Sequence, residues 1–354
     1  MSVQSIVEWI MDQNTCFLMG AGCSLCAGKP NIDSLTDAVK ENLSQPGKDL
    51  LSNLKGTVGR SANIEDLINY LLRMRQLSDS RITPLENELW STKNIEAELS
   101  GIQKQVVQSV GKDWTPSLQH QRFLTRLASS PARKPIDIFS LNYDTVLEAS
   151  LESLKFWYTD GFMGSENAYF EPRLFEKPSD LFPIFRIYKL HGSVNWVRDD
   201  DETVRRRHGG SLGDTPRTVI YPAEQKYIQT QYGIYEVIMR CFRDRLRESD
   251  KNNKLVVIGY SFRDEHINMA IEDSIRTAGS NLTVYAFVGP EKDTNAQKNR
   301  FETMAINCDH RLNIIGDQFH VGPALDGADL EEIAKMELWR FENLVALLTG
   351  ASNE

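Results

Sequence analysis

The feature that most restricts this chain is a short apolar run that stops at a pair of glycines: Cys16-Phe17-Leu18-Met19, then Gly20-Ala21-Gly22. An apolar run without polar alternation reads as a strand buried on both faces, as in a parallel sheet. Gly20 and Gly22 permit a sharp turn and a close backbone approach because neither carries a Cβ. A turn of this kind feeds a helix whose free N–H groups suit an anion, so residues 15–30 read as a pyrophosphate-binding loop. The common dinucleotide fingerprint is absent. Its third glycine would fall at position 25, which is a leucine, and Gly28 comes too late. Nor does a second strand ending in an acid follow about 20 residues on. Asp37 and Glu41 fall instead in a helical pattern. Taken alone, the turn is equally consistent with a plain strand-to-helix corner.

The rest of the chain alternates. Residues 3–12 form a short amphipathic pattern, and from 31 to 130 the periodicity is helical. Asp33 or Ser34 is placed to cap a first helix carrying Leu35, Ala38, Val39 and Leu43, which Pro46 and Gly47 end. Asn63 caps a second, carrying Ile64, Leu67, Ile68, Leu71 and Leu72. Further helices are expected over 83–92, 94–111 and 117–129. Strand signals resume at 136–141, ending in Asn142-Tyr143-Asp144, and at 184–190, ending in His191-Gly192-Ser193. Thr218 to Tyr221 is a short strand stopped by Pro222, and a helix follows over 230–247. The run 255–258 ends in Gly259-Tyr260-Ser261, and strands at 282–288 and 311–315 complete the set. Between 197 and 217 an acidic run, Asp199 to Asp201, faces a basic one, Arg205 to His208, across a possible hairpin in a solvated loop. The tail from 328 to 349 is amphipathic, with Glu337 interrupting its apolar stripe.

Strands alternating with helices imply an α/β fold: a Rossmann-like parallel sheet with helices on both faces and a helical insertion after the first strand. Residues 1–30 and 131–325 would form the sheet domain, 31–130 the insertion and 326–354 a C-terminal helix. In such a sheet, ligands bind beyond the carboxyl ends of the strands. Four strand ends here carry Gly20-Ala21-Gly22, Asn142-Tyr143-Asp144, His191-Gly192-Ser193 and Gly259-Tyr260-Ser261, so one cleft would gather a phosphate cradle, an amide, a carboxylate and an imidazole. Each has a plainer reading alone. Asn142 or Asp144 suits a helix cap, and a single histidine such as His191 suits a structural role.

Net charge is -9, which disfavours non-specific binding to nucleic acid or an anionic membrane. Five scattered cysteines argue against a disulfide framework, and no leader or membrane-length apolar run is evident, so a cytoplasmic protein is expected. Cys23 and Cys26 form a C-x-x-C pair without a matching second pair; small residues packing at a turn explain it more simply than zinc.

The four motifs together resemble the sirtuin-like family of NAD-consuming Rossmann-like enzymes. The resemblance runs through Gly20-Ala21-Gly22-Cys23-Ser24, Ala27-Gly28-Lys29-Pro30, Asn142-Tyr143-Asp144, Lys189-Leu190-His191-Gly192-Ser193, and Gly259-Tyr260-Ser261-Phe262 with Asp264, His266, Ile267 and Asn268. Sirtuin deacylases follow their glycine loop with Pro-Asp-Phe-Arg, where this chain has Pro30-Asn31-Ile32-Asp33, and carry a four-cysteine zinc ribbon after the catalytic histidine. Only Cys241 and Cys308 lie beyond His191 here, so no zinc is expected. The motif forms and the helical insertion are similar to the bacterial antiphage effectors that hydrolyse NAD to nicotinamide and ADP-ribose.

That resemblance implies Asn142, Asp144 and His191 as catalytic residues around NAD as substrate. Asn142 would position water or ribose hydroxyls, Asp144 would hold the nicotinamide side, and His191 would contact a ribose hydroxyl and act as base. Gly20, Ala21, Gly22, Ser24 and Gly28 would bind the pyrophosphate, with Gly192 beside them. Gly259, Tyr260, Ser261 and Phe262 would flank the adenosine half. An NAD hydrolase needs restraint, and no fused sensor domain is evident. Homo-oligomerisation and a separate regulator, such as a HerA-type ATPase, are therefore expected, without direct nucleic-acid or membrane contact. A deacylase or ADP-ribosyltransferase, or a non-catalytic module sensing NAD or ADP-ribose, remain the alternatives.

Overall fold

A computed structural model of the chain describes residues 3–54, 62–79, 90–111, 115–129, 135–176, 184–199, 203–207, 217–219, 233–248, 252–277, 279–291, 293–317, 319–322 and 332–350. Helix α1 (Val3–Ile10) leads into β1 (Thr15–Met19) and a 3-10 turn, Ala21–Ala27. Five helices follow: α2 (Ile32–Asn42), α3 (Gln45–Asn53), α4 (Ile64–Asp79), α5 (Thr92–Val110) and α6 (Leu118–Ala128). Then come β2 (Ile136–Ser140), α7 (Val146–Ser153), β3 (Tyr158–Thr159), β4 (Phe162–Met163), β5 (Asn167–Phe170) and α8 (Arg173–Glu176). Next are β6 (Phe185–Lys189), β7 (Gly192–Arg198), β8 (Val204–Arg207), β9 (Arg217–Val219) and α9 (Ile234–Leu246). The chain finishes with β10 (Lys254–Ile258), α10 (Glu265–Arg276), β11 (Thr283–Phe287), α11 (Thr294–Asn307), β12 (Leu312–Ile315), β13 (His320–Val321) and α12 (Phe341–Thr349).

An eight-stranded sheet in the order β13-β12-β11-β10-β1-β2-β6-β3 forms the centre, parallel throughout except for the β12–β13 pair. Side chains alternate across it. Cys16 and Leu18 of β1 enter a core shared with α9, α10 and α11, while Phe17 and Met19 enter one shared with α1, α6, α7 and α12. Both faces are therefore covered, as the apolar runs require. After β1 the chain builds outward through β2 and β6, then crosses back to place β10 on the other side of β1. The switch point lies between β1 and β10, where α/β sheets open a crevice.

Helices α2, α4 and α5 pack into a third core built on Leu35, Val39, Leu67, Leu71, Ile95 and Leu99. Helix α6 belongs elsewhere: its Phe123, Leu124 and Leu127 join the sheet-covering core with Phe341. Asn31 caps α2, accepting from the Ser34 N–H at 2.9 Å, in place of the Asp33 or Ser34 cap read from sequence. Pro46 and Gly47 do not form a break but sit in the first turn of α3, where a missing N–H leaves no bond unmade. The helix expected over 83–92 falls mostly outside the described residues, as do Asp200, Asp201, His208, Tyr221, Pro222 and 328–331. Glu337, at φ 46°, divides the tail into helix at 332–335 and α12.

One layer was not legible beforehand. Strands β4, β5, β8, β7 and β9 form a second, antiparallel sheet beside the first. The expected hairpin at 197–217 belongs to it. Asp199 bridges to Arg207 at 2.6 Å and Arg205 at 3.3 Å, so the acidic and basic runs do meet across the turn. Among the described residues no helix is long and apolar enough to cross a membrane.

His120 on α6 is 1 % exposed, stacks at a tilt on Phe341 with ring centroids 4.8 Å apart, and its Nδ1 finds no hydrogen-bond partner among the described residues. Burial pushes its imidazole down to about 4. The unfolded chain protonates this ring from about pH 6.5 downward while the folded one does not. Stability from this group is therefore lost as pH falls from 6.5 to 4, on the order of 3 kcal/mol. Denaturant titrations across that range should show His120→Leu losing less stability than the wild type by about that amount.

Candidate functional site

Strand register aligns the site. Ile258 pairs with Met19, Met19 with Ser140, and Ser140 with Lys189, giving one transverse row at the carboxyl ends of β10, β1, β2 and β6. The ladder runs one step further through Gly20 N–H to Ile258 O, Leu141 N–H to Met19 O and Leu190 N–H to Ser140 O, at 2.8 to 2.9 Å. Two residues beyond the row stand Tyr260, Ala21, Asn142 and His191. All four line the same cavity. Motifs scattered from 20 to 264 converge because the four strands are neighbours and stop level.

The glycines of the first turn serve this convergence. A Cβ on Gly20 would lie 2.5 Å from the Gly259 carbonyl oxygen, one on Gly22 would lie 2.7 Å from Gly259 Cα, and one on Gly259 would lie 2.5 Å from Cys23 N. Gly259 also sits at φ 66°, a left-handed conformation that glycine adopts without strain. Two strand exits thus touch backbone to backbone. The loop's amides are largely engaged within the fold: Gly20 N–H donates to Ile258, Gly22 N–H to Gly259 and Cys23 N–H to Gly20, at 2.9 to 3.0 Å. The close approach read from sequence is made to Gly259. Cys23 and Cys26 each bond a backbone carbonyl through sulfur, and among the described residues no cluster of three or more metal-ligating side chains forms.

Asn142, Asp144 and His191 are each 7 % exposed and line the cavity together. Asn142 Nδ2 donates to Gly20 O at 3.1 Å and Ser24 Oγ at 2.9 Å. Gly20 O can only accept, which fixes the nitrogen on that side. Asn142 Oδ1 is then left buried without a partner among the described residues, and such an atom costs free energy unless something donates to it. Asp144 Oδ1 accepts from the Val146 N–H at 3.0 Å, so this carboxylate does cap α7. Beneath it, the buried Lys189 donates to the Asp144 carbonyl and pairs with Glu148 at 3.3 Å; burial raises the Glu148 pKa while Lys189 opposes the rise. Val194 N–H donates to Tyr143 O at 2.9 Å, tying the Asn142–Asp144 loop to β7.

His191 occupies the corner between β6 and β7, where Gly192 at φ 82° lets the chain turn. Its Nε2 lies 3.0 Å from Asp264 Oδ2, both side chains being more than nine-tenths covered. Asp264 Oδ1 meanwhile accepts from the His266 and Ile267 N–H groups at the start of α10. One carboxylate thus closes a helix N-terminus and orients an imidazole. A carboxylate only accepts, so in the neutral ring Nε2 carries the proton and Nδ1 the lone pair. Tyr260 Oη supports the arrangement, receiving the Asp264 N–H at 3.2 Å and bonding Asn268 Oδ1 at 2.9 Å. Asn268 in turn donates to Phe262 O at 2.9 Å, holding Phe262 at φ 55°.

The cavity holds about 130 Å³ and is open on one side. Gly20, Ala21, Gly259, Tyr260 and Ser261 line it as the sequence suggested. Gly22, Ser24, Gly28, Gly192 and Phe262 do not line it: Ser24 receives Asn142, the exposed Gly28 ends the 3-10 turn at φ 71°, and Phe262 packs on Phe301. The insertion contributes a wall that sequence reading missed, including Leu35, Asn63, Glu65 and Val110. Asp264 was also missed as a site residue, although its position one turn past a strand end is a usable signal. A larger groove of about 780 Å³ by Trp157 contains none of these residues, and its Arg206 and Asp160 already pair at 2.6 Å. The smaller cavity, with converging polar groups, is the better candidate.

Residues 137–308 match the family model of the SIR2-like domain. No curated protein matches the chain. The matched stretch holds Asn142, Asp144, His191, Gly259 and Asp264, and supports a sirtuin-like family for this part of the chain. A SIR2-like domain is consistent with an enzyme that uses NAD.

Asp264→Asn separates orientation from capping, because asparagine caps helices about as well. Thermal stability should fall by less than about 1 kcal/mol. Nitrogen NMR of the His191 ring should show the Nε2-protonated tautomer in the wild type and a loss of that preference in the variant.

Proposed function

We propose that the chain is an NAD glycohydrolase, cleaving NAD to nicotinamide and ADP-ribose. The observation that carries this reading is the meeting of Asn142, Asp144 and the His191–Asp264 pair on one buried cavity at the sheet's switch point. The absence of ribbon cysteines after His191 favours hydrolysis over deacylation.

In this reading the bond between ribose C1′ and the nicotinamide nitrogen breaks, and its electron pair leaves with nicotinamide. Positive charge grows on the ribose, and preorganised dipoles stabilise it. Asn142 Oδ1, without a donor among the described residues, presents a carbonyl dipole of the right sign, and Asp144 adds negative charge nearby. Water bonds to C1′, and its proton passes to His191 Nδ1, with Asp264 steadying the imidazolium. Cavities for ligands of drug size run to about 300–1,000 Å³, so a space this small holds part of a dinucleotide and leaves the rest at its open side. Within this proposal the chain serves as an antiphage effector held in check by self-association and a separate regulator of the HerA-type ATPase class, supported by the motif forms and the insertion.

Incubation of the purified chain with NAD, alone and with such a regulator, should release nicotinamide and ADP-ribose in equal amounts. Asn142→Ala and His191→Ala should each lower the rate about 100-fold or more. Undiminished release by both variants would refute the assignment, and turnover requiring an acyl-lysine peptide would replace it with deacylation.

A further inference from the structure

Resting on the dinucleotide reading above, we infer that the side chains of Lys29 and Arg263 grip the substrate's diphosphate beside the glycine turn. A diphosphate in this cavity meets three lining carboxylates, Glu65, Asp144 and Asp264. Its two negative charges need compensation. The usual source would be free amides at the start of a helix. Here the Gly20, Gly22 and Cys23 N–H groups are engaged by backbone carbonyls, and the following turn is a short 3-10 segment.

Two cations line the same cavity. Lys29 closes the first turn on the insertion side, and Arg263 follows the β10 exit. Both are partly exposed, so neither buries a bare charge. Arg263 is held by an outward pair with Asp33 at 3.6 Å, and the Asp33 side chain is 71 % exposed. A pair so exposed contributes little and yields readily to a dianion. Lys29 Nζ lies 3.0 Å from where a Cβ on Gly111 would stand, which places it against the C-terminal end of α5. A lysine and an arginine lining one cavity suit a diphosphate: one supplies a compact charge, the other a planar fork.

Calorimetry with ADP-ribose and with adenosine tests this without requiring turnover. Lys29→Gln and Arg263→Gln should each weaken ADP-ribose about tenfold, and the double variant about 100-fold, with adenosine unchanged. The double variant should also show a weaker dependence of Kd on salt than the wild type, whereas Lys29→Arg with Arg263→Lys should retain most of the affinity. Wild-type affinity for ADP-ribose in a folded double variant would overturn the clamp and leave the dinucleotide reading standing. A wild type that binds neither ADP-ribose nor NAD would overturn both.

Discussion

Gly20, Gly22 and Gly259 allow two parallel strands to touch backbone to backbone as they leave the sheet, and the site is assembled on that contact. Any Cβ at these positions would fall within 2.5 to 2.7 Å of main-chain atoms, which neither strand can withdraw without breaking the ladder. The contact holds the first turn over β10, so that Ala21 and Tyr260 share one transverse level with Asn142 and His191. Asn142 extends the same constraint to β2 by donating to the Gly20 carbonyl. Four strand ends therefore behave as one rigid edge. Hydrogen bonds made inside that edge are unavailable to a ligand.

Around this edge each buried polar group serves the fold with one atom and faces the cavity from the same position. Asp144 caps α7 through Oδ1. Asp264 caps α10 through Oδ1 and orients His191 through Oδ2. Asn142 spends its nitrogen on the glycine turn and leaves its oxygen unpartnered. A structural cap and a site residue are thus not alternatives here. A helix beginning just past a strand end needs a capping carboxylate at the place where the crevice opens. At the opposite end of the sheet Asp137 plays a purely structural part, pairing with Arg186 at 2.6 Å and Arg245 at 3.0 Å and pinning β2 to β6 and α9.

The parallel sheet and its four site-bearing ends were legible because uninterrupted runs such as Leu255-Val256-Val257-Ile258 allow little else, and because glycine or polar residues mark where each run stops. The second sheet was not. Its strands, such as Val204–Arg207 with three arginines in succession, carry charge where burial is only partial, so their pattern resembles a solvated loop. The purpose of the first glycines was half legible: a missing Cβ announces a close approach but not what approaches. Asp264 was hidden for a related reason. Its cap role is visible in sequence, but its second oxygen meets His191 only once β10 and β6 are known to flank β1 and β2.

The cavity's walls differ in kind, and the difference bears on how any dinucleotide is admitted. One wall is the rigid strand edge. The other is the insertion, whose α2, α4 and α5 share a core that also takes in Val194 of β7 and packs on Tyr143, and whose Asp33 pairs with Arg263. A ligand whose diphosphate displaces Asp33 from Arg263 would loosen the insertion at the point where it enters. Binding and opening would then draw on the same cation, and the insertion's grip on the strand edge would set how readily the enclosed polar groups meet substrate.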